Sequence, residues 1–285
     1  MANATVDVLI PTCNRPAALA ATLACLIGQT HRDFRVVVSD QTGDSDALAA
    51  GEVQAVARVL RAQGRDCVLL RHVPPRGMAE QRQFLLDQSS APYVLFLDDD
   101  VLLEPDMIER MLEVLQAEGC GFVGCGVHGL SQAHDRRPHQ QAFEFCDGPV
   151  APDVVQPGTP AWDRHYLHSA ANLFHVQTSL GLTRATQRTY RVAWVGACVL
   201  YDAARLRSVG AFGFWRELPA SHCGEDVLAQ LRVMARFGGC GLIPSGAYHQ
   251  ELPTTVRDRR VDAPKVLGIE PDAETKQRKQ LEPVA

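Results

Sequence analysis

The chain has 285 residues, 46% of them hydrophobic and 21% charged. That is long enough for one large core or two small ones, and it excludes disorder over most of the length. A formal charge of -5 and a pI near 6.1 leave no broad basic surface, so nucleic acid is not an expected partner.

In chain order, an apolar run at 6–10, closed by Pro11, is the first expected strand. The spacing of Leu19, Leu23, Leu26 and Ile27 predicts a helix over 16–28. A second strand over 34–39, a polar loop over 40–46 and a helix over 47–63 follow, the helix carrying Leu48, Val53, Val56, Val59 and Leu60. A third strand at 67–71 leads to a helix over 77–88. The fourth strand ends at three aspartates, a helix covers 106–118, and 121–126 is expected as a fifth strand. This alternation predicts βα units and a mostly parallel, Rossmann-like sheet flanked by helices.

From 127 to 189 the pattern gives way to polar, proline- and histidine-rich sequence. A stretch that long inside a compact domain marks a functional or mobile segment. Regularity returns with an apolar strand over 191–201, a short helix from Asp202, a helix over 224–237 and short runs at 240–243 and 247–249. After Leu252 seven Lys or Arg meet six Asp or Glu with little periodicity, which predicts an arm or tail over 252–285. The nine cysteines are scattered without a C-x-x-C pair, which fits a reducing, cytoplasmic compartment. The start of the sequence lacks a basic lead and long apolar core, and no apolar stretch approaches about 18 residues, so neither a signal peptide nor a transmembrane segment is expected.

Tyr93-Val-Leu-Phe-Leu-Asp98-Asp99-Asp100-Val101 is the stretch that carries most chemistry. Carboxylates just past a buried strand lie where open α/β sheets bind ligands. With an extended backbone, Asp98 and Asp100 share a face and Asp99 points away. Two such carboxylates suit a hard divalent ion, Mg2+ or Mn2+, whose shell substrate phosphates complete. The alternative, a helix cap, is less needed because Glu104, Pro105 and Asp106 already supply a start signal.

Five other places offer polar groups, the first two of them at the same sheet edge as the aspartates. Pro11-Thr12-Cys13-Asn14-Arg15 forms the first βα turn, where N–H groups at a helix N-terminus accept anions or polar ligand edges. Asp40 follows the second strand at the same sheet edge. Arg76-Gly77 and Arg82 follow the third strand, Gly77 permitting close backbone approach and the arginines suited to a diphosphate or nucleobase. Glu225-Asp226 opens the helix over 224–237, where acids are either helix-dipole partners or a general base. His249 ends the last apolar run and is a candidate further metal ligand. Trp162, Tyr166, Phe174, Trp215 and His222 are candidates for stacking on a sugar or aromatic acceptor, with core packing as the alternative.

Taken together, DVLIPTCNR, VVVSDQTGD, RGMAEQR, VLFLDDDVLLEPD, and VGACVLYDAARLRSVGAF followed by CGEDVLAQLRVMARFG resemble the family 2 glycosyltransferases of the GT-A fold, over roughly 6–251. The resemblance implies that Thr12 and Asp40 hold the nucleobase, that Asp98 lies near the ribose, and that Asp100 with His249 binds the metal bridging the diphosphate. It implies Asp226 as the base, beside Glu225, in a single inverting displacement. Pro11, Asn14, Arg15, Arg76, Gly77, Arg82 and Asp99 complete the donor-nucleotide set. Gln41 and Gln83 depart from the family's usual residues, so the choice of base stays open.

The expected organisation is one GT-A-like domain over 1–251, its nucleotide-sugar half at 1–126 and its acceptor and catalytic half at 127–251. The expected partners are a nucleotide sugar, a UDP-sugar foremost, and an unidentified hydroxyl acceptor; the oligomeric state is open and compatible with a homodimer. Three rivals remain. Gly124-Cys-Gly126-Val-His-Gly129 matches a dinucleotide fingerprint but lacks a following helix pattern. A sugar nucleotidyltransferase would need a glycine-rich loop after the first strand. An inactive sugar-binding module would have no need of a base. His165, His168 and His175 lack the partners of a tetrahedral zinc site.

Overall fold

The computed structural model describes residues 4–43, 46–256 and 258–269; residues 44 and 45 of the expected loop and 270–285 of the expected tail lie outside them. β1 (Val6–Thr12), β2 (Phe34–Asp40), β3 (Cys67–Arg71) and β4 (Tyr93–Leu97) alternate with α1 (Pro16–Ile27), α2 (Gly51–Ala62) and α3 (Met78–Asp87). These strands pair in parallel, β1 lying between β2 and β4 and β3 outside β2. Their side chains alternate between two cores. Val6, Val8 and Ile10 pack with Leu19, Leu23 and Leu60 on one face, and Leu9, Val37 and Phe96 pack with Leu85 and Leu86 on the other. A strand covered on both faces needs apolar residues at both parities, hence the unbroken apolar runs.

β5 (Val101–Leu103), α4 (Met107–Glu118), β6 (Phe122–Gly124) and β7 (Val127–His128) come next, followed by α5 (Pro160–Asp163), α6 (Asn172–Leu180), β8 (Arg188–Tyr190) and β9 (Cys198–Asp202). α7 (Ala203–Ser208), α8 (Glu225–Phe237), β10 (Gly239–Ile243), β11 (Ala247–His249) and α9 (Ala263–Val266) complete the described chain. The main sheet has eight strands in the order β3-β2-β1-β4-β9-β6-β10-β8, with β9 antiparallel to both β4 and β6 and with β8 antiparallel at the edge. β5, β11 and β7 form a second sheet of three. This mixed α/β architecture, a large mostly parallel sheet flanked by helices, is the expected fold class.

The second sheet explains how distant residues meet. β4 ends at Leu97, the chain turns through the aspartates, and Val101 re-enters a strand whose register partner is His249. The Gln250 N–H also donates to the Asp100 carbonyl at 2.8 Å. Strand pairing alone therefore brings His249 beside Asp100.

Three expectations need correction. The apolar strand over 191–201 is only β9, because Ala197 adopts a left-handed φ of 68° and Val195 gives its N–H and C=O to the Gln230 side chain, each at 2.8 Å. The segment over 127–189 is not wholly irregular: α6 buries Leu173 and Val176 and ends at Gly181, φ 60°. Two apolar anchors are too few to show as a period. The residues after Leu252 fold back as far as they are described. Cys223 bridges Asp262 between bonds from the Cys223 N–H to Val261 O and from the Ala263 N–H to Cys223 O, both 2.9 Å. Ala263 is fully buried.

All nine cysteines are free thiols, and among the described residues no helix is long and apolar enough to cross a membrane.

Candidate active site

A cleft of about 620 Å³ opens at the carboxyl ends of β1 and β4 and runs to the N-terminus of α8. That volume is in the range of small-molecule sites. Asp98, Asp99, Asp100, Glu225, Asp226 and His249 all line it, together with Pro11, Thr12, Arg15, Arg82 and Trp162.

The aspartates do not stay extended. Asp99 and Asp100 lie in a turn, and Asp99, expected to point away, accepts a 2.6 Å bond from Thr12 Oγ1. Arg15 Nη1 then donates to Asp99 Oδ1 at 3.2 Å and Asp100 Oδ2 at 2.8 Å. Arg15 Nη2 reaches the carbonyl of Pro253. Burial pushes Asp99 up to about 6, against the Thr12 bond and the Arg15 charge, with the other two aspartates adding to the rise. Burial also raises Asp100, opposed by His249 and Arg15.

Asp98 belongs to a second cluster. Arg82 of α3 is buried, its Nη2 3.0 Å from Asp98 Oδ1 and its Nε 3.0 Å from Glu225 Oε1. Burial works against the guanidinium charge, but Asp98, Glu225 and Asp226 outweigh it and raise its pKa further. Asp226 sits in the first turn of α8, half-buried beside Glu225. Burial, then the Glu225 charge, push its carboxyl up to about 7, with Arg82 pulling the other way and Asp98 adding to the rise. A general base works best with a pKa near the operating pH.

Asp100 Oδ1 lies 3.5 Å from His249 Nε2, and this pair fits a divalent cation that takes the rest of its shell from phosphate oxygens and water. Among the described residues no cluster of three or more ligating side chains forms, so the protein alone offers only two donors. The Glu251 N–H donates to His249 Nδ1 at 2.7 Å, which places the neutral ring's hydrogen on Nε2. To ligate through Nε2, His249 has to exchange this tautomer for the Nδ1–H form and give up the Glu251 contact.

Several expected site residues stand off the cleft wall: Asn14, Asp40, Arg76, Gly77, Trp215 and His222 do not line it. Asn14 is exposed and takes a left-handed φ of 58°. Asp40 pairs in register with Thr12 at the sheet edge but is fully buried, its Oδ1 accepting from the Thr42 N–H and Oγ1 at 2.9 and 2.5 Å. Its buried Oδ2 accepts no hydrogen bond from the described residues. Arg76 is exposed. Gly77 serves packing: a Cβ there would lie 2.6 Å from the His222 ring. His222 is buried with both nitrogens engaged, Nδ1 donating to Pro219 O at 2.7 Å and Nε2 accepting from the Ala79 N–H at 3.1 Å. It caps the start of α3 and is not free to meet an acceptor. Trp215 packs on the apolar core, with Arg216 over its ring. Gln83 turns toward the Phe212 N–H.

The decoys resolve by contact. Side chains fill the space over the glycines of the fingerprint-like run, Val195 at Gly124 and Leu173 at Gly126, so no phosphate cradle exists there. His168 Nε2 meets Tyr190 Oη at 2.8 Å, while His165 stacks on Trp194. Sequence reasoning missed Trp194, Thr254, Arg259 and Lys265, all on the cleft wall, where His165 of the histidine-rich segment also lies. Trp194 sits in a run that looks like plain strand, and the charge-balanced C-terminal segment has no period to betray its place.

The sequence model of Glycosyl transferase family 2 matches residues 7–181. The chain belongs to this glycosyltransferase family. Among curated relatives it is similar to the succinoglycan biosynthesis protein ExoM of Rhizobium meliloti, 29% identical over 127 residues, covering 43% of this chain and 39% of that protein. It is also similar to a protein of Haemophilus influenzae described as an uncharacterized glycosyltransferase, 26% identical over 110 residues, covering 39% and 34%. These matches span well under half of the relatives' own length. Among solved structures, Staphylococcus aureus TarS 1–349 in complex with UDP-GlcNAc aligns with TM-score 0.57 and 13% identity over 88% of this chain and 60% of that one. The mannosyltransferase PcManGT of Pyrobaculum calidifontis, in complex with GDP-Man and Mn2+, aligns with TM-score 0.51 and 15% identity over 85% and 57%. At such identities the likeness shows the fold, which is that of GT-A glycosyltransferases.

Proposed function

We propose that this family 2 protein transfers a sugar from a nucleoside diphosphate sugar, a UDP-sugar foremost, to an acceptor hydroxyl with inversion, assisted by Mn2+ or Mg2+. One observation carries the reading: carboxylates from β4's end and α8, with His249 from β11, converge on a single cleft where Asp226 is poised near neutral pH.

Asp226 accepts the acceptor's proton as that oxygen attacks the anomeric carbon. Burial and then the Glu225 charge lift Asp226 to about 7, with Arg82 pulling it down. Asp98, paired to Arg82, stands toward the donor with Pro11 and Thr12. Asp100 and His249 would hold the cation, which when bound neutralises charge growing on the leaving diphosphate. Arg15 fixes the Asp100 oxygen turned away from His249, so each oxygen of that carboxylate has one task. The unpartnered Asp40 Oδ2 supports a nucleobase N–H at the β1–β2 edge, reached once the Thr42 loop yields. The free thiols suit the reducing, cytoplasmic setting expected from the sequence.

The test pairs binding with turnover. UDP, GDP and dTDP are screened for thermal stabilisation with and without Mn2+. The expected result is a metal-dependent shift with UDP, and an Asp226→Asn variant that keeps this shift while losing about 10²–10⁴ in turnover. No metal-dependent stabilisation by any of the three, or unchanged turnover in Asp226→Asn, overturns the reading.

A further inference from the structure

Three rings face the cleft from elements that carry none of the carboxylates. Trp162 comes from α5, His165 from the turn just after it, and Trp194 from the loop before β9. His165 lies flat against Trp194, centroids 4.8 Å apart and planes 11° apart, and Trp162 is tilted at 57° with its centroid 4.7 Å from that of Trp194. The His165 Nδ1–H donates to Trp162 O at 2.7 Å, which fixes the group. Trp162 and Trp194 rest on the apolar core, as Trp215 does, but unlike Trp215 they and His165 line the cleft, each of the three half-buried there.

The cluster is also registered to the catalytic helix. Gln230, fully buried on α8, grips Val195 next to Trp194 by both backbone groups, and its Nε2 also donates to Asp226 O at 3.2 Å. One side-chain amide thus ties the loop bearing Trp194 to the turn bearing Asp226. A rigid aromatic face held at a set position from a base is a device for presenting something flat to it.

We propose that Trp162, His165 and Trp194 form the subsite for a sugar ring of the acceptor, which makes the acceptor a saccharide or glycoside; this rests on the glycosyltransferase reading above. A pyranose has one face of C–H bonds and a rim of hydroxyls. Its face lies on the rings, and its rim meets the charged remainder of the cleft, with one hydroxyl turned to Asp226. A lipid alcohol would need a continuous apolar groove, but beyond the rings apolar side chains such as Met78, Val227, Leu252 and Pro264 alternate with carboxylates, guanidinium groups and Lys265. The nucleobase is assigned to the end of the cleft where Pro11 and Thr12 line the wall, at the end of β1.

The test uses saturation-transfer NMR on the full chain with methyl glycosides of glucose, galactose, mannose and N-acetylglucosamine at millimolar concentration, with and without UDP and Mn2+. At least one glycoside is expected to bind, saturated most strongly on the C–H bonds of one ring face. Binding weakens about five-fold or more in Trp194→Ala and is largely kept in Trp194→Phe, the order expected for one stacked ring. Stabilisation by UDP stays unchanged in both variants. The proposal is overturned if no glycoside binds while UDP does, if Trp194→Ala binds as the wild type, or if Trp194→Ala weakens a UDP-sugar more than UDP, which would place the donor's sugar on the rings. If no nucleotide binds but a Trp194-dependent glycoside does, the donor reading fails and the subsite stands.

Discussion

Glu225→Gln tests how the cleft tunes its base. Gln keeps the shape and the oxygen that accepts from Arg82 Nε, so the buried contact at 3.0 Å survives while one negative charge goes. Two consequences act in the same direction on Asp226: the Glu225 repulsion vanishes, and Arg82 has one carboxylate fewer to share its charge with. A neighbouring charge of this kind moves a carboxylate by about 1–3 pKa units. The base works only when ionised, so a pKa raised to about 7 means activity is present above neutrality and lost as pH falls through about 7. At about pH 6 only about a tenth of the wild-type base is ionised. A downward shift of about one unit raises that fraction to about a half, about five-fold more ionised base near pH 6, a gain in kcat/KM that the weaker base offsets in part. Near pH 8, where both forms are ionised, the variant is slower because its base is weaker. The assay is nucleoside diphosphate release across about pH 5.5–9, with thermal unfolding as a control on the fold. An acid limb that stays put or moves up in Glu225→Gln refutes the assignment of that limb to Asp226.

Other substitutions probe the remaining contacts. Asp100→Asn and His249→Ala should each raise the Mn2+ concentration needed for nucleotide-dependent thermal stabilisation by about 10-fold or more, as loss of one of two protein donors would; an unchanged metal titration would remove that residue from the ion's shell. Arg15→Ala takes charge-assisted bonds from Asp99 and Asp100 and the tie to Pro253, so stability should fall by about 1–3 kcal/mol and amide exchange should rise at 252–256. Exchange unchanged there would show that the segment is held by its Cys223 pairing alone. Gln230→Leu leaves the Val195 N–H and C=O buried without partners, which should cost about 2–5 kcal/mol in urea unfolding. A loss under about 1 kcal/mol would mean the loop relaxes to other partners.

The parallel half of the fold was legible because it is built from local signals. β1 to β4 are apolar at both parities, since both faces are covered, and their helices carry regular stripes. The convergence of Asp98–Asp100, Asp226 and His249 on one cleft was also expected, for the three aspartates because sheet edges collect the ends of strands, and for Asp226 and His249 from the family resemblance. What sequence could not show was set by tertiary contacts. Val195 has the residue type of a strand but spends its backbone on Gln230. His222 has the chemistry of a ligand but caps α3 instead. Gly77 looks open to a phosphate but is occupied by that same histidine. The residues after Leu252 take their place through one bridge at Cys223, a contact with no local signature.

Charge in the cleft gives an independent reason to expect a cation with the donor. Among the described residues its wall carries six carboxylates, Asp98, Asp99, Asp100, Glu225, Asp226 and Asp262, against four cations, Arg15, Arg82, Arg259 and Lys265. Those cations are largely committed: Arg15 to Asp99 and Asp100, Arg82 to Asp98 and Glu225, and Lys265 to Asp262 at 2.9 Å. The upward shifts of Asp99, Asp100 and Asp226 have burial as their leading cause, and the carboxylates crowding one another add to each. A diphosphate entering such a site adds more negative charge to a wall already in excess, so protein groups alone would repel it. A divalent ion at the proposed Asp100 and His249 site would offset about two charges and give the phosphates a partner. The same logic sets the order of events: the ion's hold on two protein donors is weak by itself, and the diphosphate's is weak without the ion, so the two should bind with strong mutual cooperativity.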